Sequence, residues 1–423
     1  MSLARGSMPL CLCANWSMSA ACCAARWRTR TSHRWRRAQP KPQALQPVAD
    51  TPAGSSGKHS LSETKVAIVT TVKNFGHLCV SWCSYHFGIG FHHLFIYFDE
   101  PSELPAVRSV LHAHFPPDSL TLIPHDDELR LAWGRLEGAA LIMPHAASEV
   151  QTRQQLNCRH AMTIAARQKL DWMLHIDADE LFFPGLSCDV RAHFSEMEDA
   201  GVETFVYMNF EAVPETLGII DPFREVTLFK RCLELVEPTP KAQAAVGFWQ
   251  ERQEGCYFYY YDNGKAAVRV HPKARPLSVH EWLPGTPEGM GRWFSNMKSP
   301  WAGRGKLGQI VQFRESEARV LHYPVYSHEA LWQRYQGGMD RYTLAGRLEP
   351  PPFHDQASHE AWAAAVKGGD AAAKATIRSL FERKVMMSDP ATVAEQIAAG
   401  VCERVCEVQL RLEAIGSARA GTR

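Results

Sequence analysis

The sequence predicts an α/β fold: a mixed, mostly parallel sheet flanked by helices, with a helical C-terminal tail. Three observations predict it. Between residues 65 and 176, short apolar runs alternate with helix candidates, as in consecutive βαβ units. The runs are apolar throughout, which suits strands covered on both faces. The polar clusters follow the runs directly, at the carboxyl ends where ligands bind in such sheets.

Taken in order, KVAIVTTV (65–72) is the first strand, β-branched and bounded by polar residues. Residues 77–86 form a helix ending near Gly88 and Gly90. HLFIYF (93–98) is the second strand, 102–113 a helix, SLTLIP (119–124) the third strand, 146–170 a long helix and WMLHI (172–176) the fourth strand. Further on, ETFVYMNF (203–210) and CYFYYY (256–261) have strand composition, 328–343 is helical, and the alanine-rich tail from 356 is mostly helix. No internal repeat is present. One domain is expected over 61–345, with a leader and linker at 1–60 and a helical extension at 346–423.

At 423 residues and 45% apolar content the chain can bury a full core. Its net charge of +1 argues against a basic surface for nucleic acid. Charge is uneven, because no Asp or Glu precedes Asp50 while seven arginines do. Residues 40–64 have linker composition. An acid-free, Arg-rich start resembles an organelle transit peptide; a weak signal or anchor at 9–25 and a plain basic tail are the alternatives. Cys79/Cys83 and Cys402/Cys406 lie four apart, and no C-x-x-C pair supports a zinc module. Asn15 is a glycosylation sequon, but it lies in the leader.

WMLHIDADELFFP (172–184) carries the chemistry. A strand delivers Asp177 and Asp179 at i and i+2, so an extended chain would point both carboxylates the same way. Aligned carboxylates repel unless a cation joins them. A hard divalent ion, Mn²⁺ or Mg²⁺, satisfies both and leaves positions open for diphosphate oxygens. The competing reading of any D-x-D is a solvated turn or a helix cap.

These residues resemble the inverting GT-A glycosyltransferases of families 2 and 92, with their W-x4-D-x-D-E core. The resemblance runs through VAIVTTVKN (66–74), Trp82, Tyr85 and His86, GFHHLFIYFDEPSE (90–103), Trp172, IDADELFFP (176–184), GKAAVRV (264–270), Val279-His280 and LHYPVYSHEAL (321–331). It implies a GT-A-like, Rossmann-like domain moving a hexose from a nucleoside-diphosphate sugar to a glycan, protein or lipid hydroxyl, with endomembrane or membrane-associated placement. It implies metal ligation by Asp177 and Asp179, completed by His322. It implies donor contacts from Lys73 and Asn74 in the first loop, Asp99 near the nucleoside, and Lys265 and Arg269 facing diphosphate or acceptor anions. Relatives carry an acid after Lys-Asn in that loop, whereas this chain has Phe75.

An inverting transfer needs a carboxylate base. Glu211, Glu281 and Glu180 are the candidates, and Glu180 can instead orient the metal ligands. Trp282, Trp293, Trp301 and Tyr259 to Tyr261 can stack on sugar faces or simply pack. Two rival functions use the same residues: a metal-dependent phosphoesterase, and a non-catalytic nucleotide or sugar binder of the same fold.

Overall fold

The computed structural model describes residues 64–186, 189–253, 264–291, 293–296, 312–344 and 356–420. The leader, the 256–261 run with Tyr259 to Tyr261, and Trp301 lie outside the described residues.

The first half follows the expected alternation, with one unexpected helix, α3: β1 (Val66–Val72), α1 (Cys79–Gly88), β2 (His93–Phe98), α2 (Leu104–His112), β3 (Leu120–Pro124), α3 (Asp127–Gly134), α4 (Val150–Arg167) and β4 (Trp172–His175). The chain then continues through β5 (Glu180–Phe183), α5 (Val190–Asp199), β6 (Thr204–Tyr207), β7 (Asn209–Ala212), α6 (Pro222–Glu225), β8 (Leu228–Lys230), α7 (Pro240–Gln253) and β9 (Lys265–Arg269). The hairpin β10 (Arg275–Pro276) and β11 (Trp282–Leu283) precedes β12 (Trp293–Ser295), β13 (Gln312–Phe313) and β14 (Arg319–His322). The C-terminal part comprises α8 (His328–Leu344), α9 (Gln356–Leu380), α10 (Pro390–Ala398), β15 (Cys402–Arg404) and α11 (Glu407–Ala420).

Among the described residues the main sheet has the order β13-β12-β6-β9-β4-β1-β2-β3. It is mixed and mostly parallel: β9 alone runs against its neighbours β4 and β6, and the other pairings are parallel. Both faces are covered, which is why the strands read as unbroken apolar runs. On β1, Val66, Ile68 and Val72 enter one core, while Ala67 and Val69 enter the other, against α4. Each such Val or Ile side chain contributes on the order of 1.5–3 kcal/mol by leaving water.

A second sheet has the order β15-β8-β7-β14-β5. One sequence expectation changes here. The segment 203–210 is not one strand: it breaks at Met208, and β6 stays in the main sheet while β7 enters the second. After the fourth strand the chain turns directly into β5 of the second sheet. The tail is mostly helical, as expected, and adds β15, which pairs antiparallel with β8. At Met208 long-range pairing outweighs local propensity. Behind β15, α11 packs against α1, and the Arg411 guanidinium donates to the Gly88 carbonyl at 2.9 Å. No helix among the described residues is long and apolar enough to cross a membrane.

Candidate functional site

Two strands leave the main sheet at its carboxyl edge and enter the second sheet, and the D-A-D-E segment is one of these crossings. Residues 177–180 form a turn, closed by Glu180 N–H donating to the Asp177 carbonyl at 3.1 Å and by Asp177 N–H donating to Glu180 Oε2 at 2.8 Å. The strand alternation expected to align the two aspartates therefore stops at Ile176. Asp177 faces the main sheet: its Oδ1 accepts from Gln154 at 2.7 Å and its Oδ2 from Lys265 Nζ at 2.5 Å. Asp179 faces the second sheet, with His322 Nε2 at 3.7 Å and Arg334 Nη2 at 3.5 Å from its Oδ2. Its carbonyl accepts from Tyr323 N–H at 2.8 Å.

Strand register explains the rest. β14 lies antiparallel to β5 and parallel to β7, so His322 stands opposite Glu180 on one side and Glu211 on the other. Glu211 in turn stands opposite Lys230 on β8. Directly opposed residues share a face, so Glu180, His322, Glu211 and Lys230 form one row of alternating sign across four strands. His322 Nδ1 donates to Glu211 Oε1 at 3.0 Å. Lys230 Nζ also lies 4.4 Å from the centroid of the Trp249 ring.

Lys265 comes from the antiparallel β9, whose start lies at the same edge as the end of β4. Gly264 makes this possible: its φ is +66°, and a Cβ there would sit 2.5 Å from the Tyr207 carbonyl oxygen. The Lys265 side chain is fully buried and also lies 3.4 Å from Glu180 Oε2. Burial opposes its charge, but Asp177 and Glu180 outweigh burial and hold the ammonium above the usual lysine range. For Asp177, burial raises the carboxyl, and Lys265 more than reverses this, leaving it below the usual range. Burial raises Glu180 to about 7 despite Lys265. Burial likewise lowers His322, but Glu211 and Asp179 prevail and raise it to about 10, so it is an imidazolium. His175 and His280 stay neutral: burial, then the Lys265 charge, pushes them down to about 4 and about 3.

The three proposed bases are not presented to a substrate. Exposure is 0% for Glu180, 6% for Glu211 and 5% for Glu281. Glu180 accepts from Asp177 N–H through Oε2 and from Asn209 Nδ2 through Oε1, the latter at 3.0 Å. It orients the turn, and it is not a free base. Glu211 holds His322. Glu281 lies in the β10–β11 turn, where its carbonyl accepts from Leu277 and Ser278. The acids that reach solvent at this edge are Asp177 and Asp179, with side chains 27% and 34% exposed.

The donor residues divide similarly. Lys73 is exposed and directly follows β1. Asn74 has φ +58°, and the N–H groups of Asn74 and Phe75 donate to the Glu103 carboxylate at 2.7 and 3.0 Å. Phe75 is core, edge-on to Trp82, so this loop position is an apolar anchor. Asp99 is clamped by Arg153 at 2.5 and 2.7 Å, so its carboxylate is committed within the protein. Arg269 is corrected outright. It shares a face with Lys265, but β9 carries it to the opposite edge of the sheet, where it pairs with Glu198 and lies 5.7 Å from the Trp172 ring centroid. Trp282 is core.

Trp82 and His86 have structural duties: Trp82 Nε1 donates to the Glu180 carbonyl at 2.8 Å, and Phe182 N–H donates to His86 Nε2 at 3.3 Å. Both pin β5 to α1. Gln154, Asn209 and Arg334 escaped the sequence reading; the polar Gln154 facing inward on α4 was the available signal.

No set of three or more His, Cys, Asp or Glu side chains suited to a metal occurs among the described residues. The Asp179–His322 pair nonetheless has the donor chemistry of a cation site. An imidazole nitrogen and a carboxylate oxygen converge, and Glu211 holds the other ring nitrogen.

No protein-family model matches the chain. Two Arabidopsis thaliana proteins named glycosyltransferase-like are similar to it. One is 25% identical over 273 residues, covering 63% of this chain and 48% of the relative. The other is 26% identical over 226 residues, covering 52% and 49%. The chain thus spans about half the length of the curated relatives it matches. The mannosyltransferase Ktr4p from S. cerevisiae aligns over 48% of this chain and 52% of its own at 13% identity, with a TM-score of 0.24. Its complex with GDP aligns over 61% and 68% at 9% identity, with the same TM-score of 0.24. That superposition is too loose to bear on function. In sequence, the chain is similar to glycosyltransferase-like proteins, and this similarity supports a glycosyltransferase.

Proposed function

We propose that the chain is a GT-A-like glycosyltransferase that moves a hexose from a nucleoside-diphosphate sugar to an acceptor hydroxyl on a glycan, protein or lipid. The observation that carries this reading is the 177–180 turn. It sets two solvent-reaching carboxylates at the carboxyl edge of a mostly parallel sheet, backed by a buried row of charges that fixes their geometry. Asp179 and His322 would hold Mn²⁺ or Mg²⁺, with diphosphate oxygens filling the remaining positions; Asp177, expected as a further ligand, has its two oxygens taken by Gln154 and Lys265 and would support the site from beside it. When bound, the ion neutralises charge developing on the leaving diphosphate. His322 gives up its proton to become a ligand, so occupancy rises with pH. Arg334, Lys265 and the exposed Lys73 keep positive charge near the same anion. Glu211 and Glu180 act through their partners, as positioning residues.

The test is nucleotide binding and donor turnover. Wild-type protein with Mn²⁺ and a panel of UDP-sugars is expected to release UDP. Asp179→Ala is expected to lose Mn²⁺-dependent UDP binding at least tenfold with an unchanged circular-dichroism spectrum. Unchanged binding in that variant refutes the ion assignment. Hydrolysis of simple phosphate esters with none of UDP-sugars favours the phosphoesterase. UDP binding without turnover on any donor favours the non-catalytic binder.

A further inference from the structure

Beyond the carboxylate turn, α8 and α9 enclose a cleft of about 340 Å³, lined by Trp332, Tyr335, Gln336, Trp362, Val366 and Asp370. This lies within the about 300–1,000 Å³ common for small-ligand sites. Trp332 and Tyr335 lie side by side, ring centroids 5.3 Å apart and planes 32° apart. Trp362 lines the cleft from α9. It and Trp332 are half-buried and can present a face, whereas Tyr335 is buried and backs Trp332. Gly369 breaks α9 with φ +70°, a left-handed step that favours glycine. The break lies directly before Asp370, at the end of the cleft.

We infer that this cleft is an acceptor subsite for a neutral hexose unit of a glycan. The inference rests on the glycosyltransferase reading above. Flat aromatic faces take the apolar C–H face of a pyranose, while a carboxylate and an amide beside them accept and donate to its hydroxyls. An acyl chain would gain nothing from Asp370 and Gln336, and an acidic glycan would be repelled by Asp370. The same helix links cleft and turn. Trp332, Tyr335 and Gln336 line the cleft, while Arg334 on α8 reaches Asp179 at 3.5 Å. Cleft and turn therefore lie on different sides of α8, at least one helix diameter, about 10 Å, apart. That offset suits a chain acceptor whose reacting hydroxyl lies beyond the bound unit.

Saturation-transfer NMR on the full chain tests this. The probes are methyl β-glucoside, methyl β-galactoside, methyl α-mannoside and octyl β-glucoside. Saturation is expected on pyranose ring protons of at least one probe, and it falls at least fivefold in both Trp362→Ala and Asp370→Asn. Asp370 is exposed, so its variant keeps the test valid if loss of Trp362 disturbs the helix pair. Saturation confined to the octyl tail, none with any probe, or full retention in Asp370→Asn overturns the assignment. UDP binding is measured on the same wild-type sample. If UDP binding is absent while ring saturation persists, the donor reading fails and the sugar cleft stands.

Discussion

The rim after β1 and β2 and the crossing after β4 hold similar residue types and use them differently. At the first rim, polar groups are settled by near neighbours. Glu103 caps the Asn74 and Phe75 amides, and Arg153 clamps Asp99. Both arrangements stabilise loops next to one sheet. At the crossing, charges from the 177–180 turn, β5, β7, β9 and β14 meet, and several are buried. An ion pair on one rim keeps a loop in place, whereas charges buried between two sheets depend on every strand being in register.

The largest effect should come from Lys265. Lys265→Met leaves Asp177 and Glu180 without their shared cation, and urea unfolding should show a loss of about 3–5 kcal/mol at pH 8. The sign of its pH dependence follows from the two acids. Asp177 lies below its usual range, so its contribution is present above about pH 4 and disappears as pH falls through the folded value. Glu180 is raised to about 7, so its ionised form, which needs Lys265, dominates only above that pH. The loss in Lys265→Met should therefore shrink from pH 8 to pH 5. A loss that is flat or grows toward acid pH would show that Lys265 does not serve these acids. Next, Asp99→Ala strands Arg153 and should cost about 1–3 kcal/mol in the same assay. Smallest is Glu103→Gln, which keeps an acceptor for the two amides and should cost under about 1 kcal/mol. If Glu103→Gln equals Lys265→Met, the contrast between rim and crossing is lost.

Much of the frame could be read directly. Apart from α3, the strands and helices from β1 to β4 follow from apolar runs and helix signals, and the Asp177–Glu180 cluster stands out because it follows a buried strand. Arg269 failed for a definite reason. An i,i+4 spacing on a strand guarantees a common face, but it also separates the two side chains by about 13 Å along the strand. Phe75 looked like a departure in a binding loop. Its burial against Trp82 shows it to be core, which a single sequence does not distinguish. The aspartates were expected to align because alternation holds in extended chain; the chain turns at Asp177 because β5 must leave for the second sheet.

By itself, the sequence determined most of the element order up to β4, the apolar runs and the carboxylates at a strand end, because these depend on neighbours within a few residues. The tertiary structure decided which charges meet: His322 with Glu211 across 111 positions, and Lys265 with Asp177 across 88. Register joins two distant segments, and a slip of one residue would send each of these side chains to the other face of its sheet.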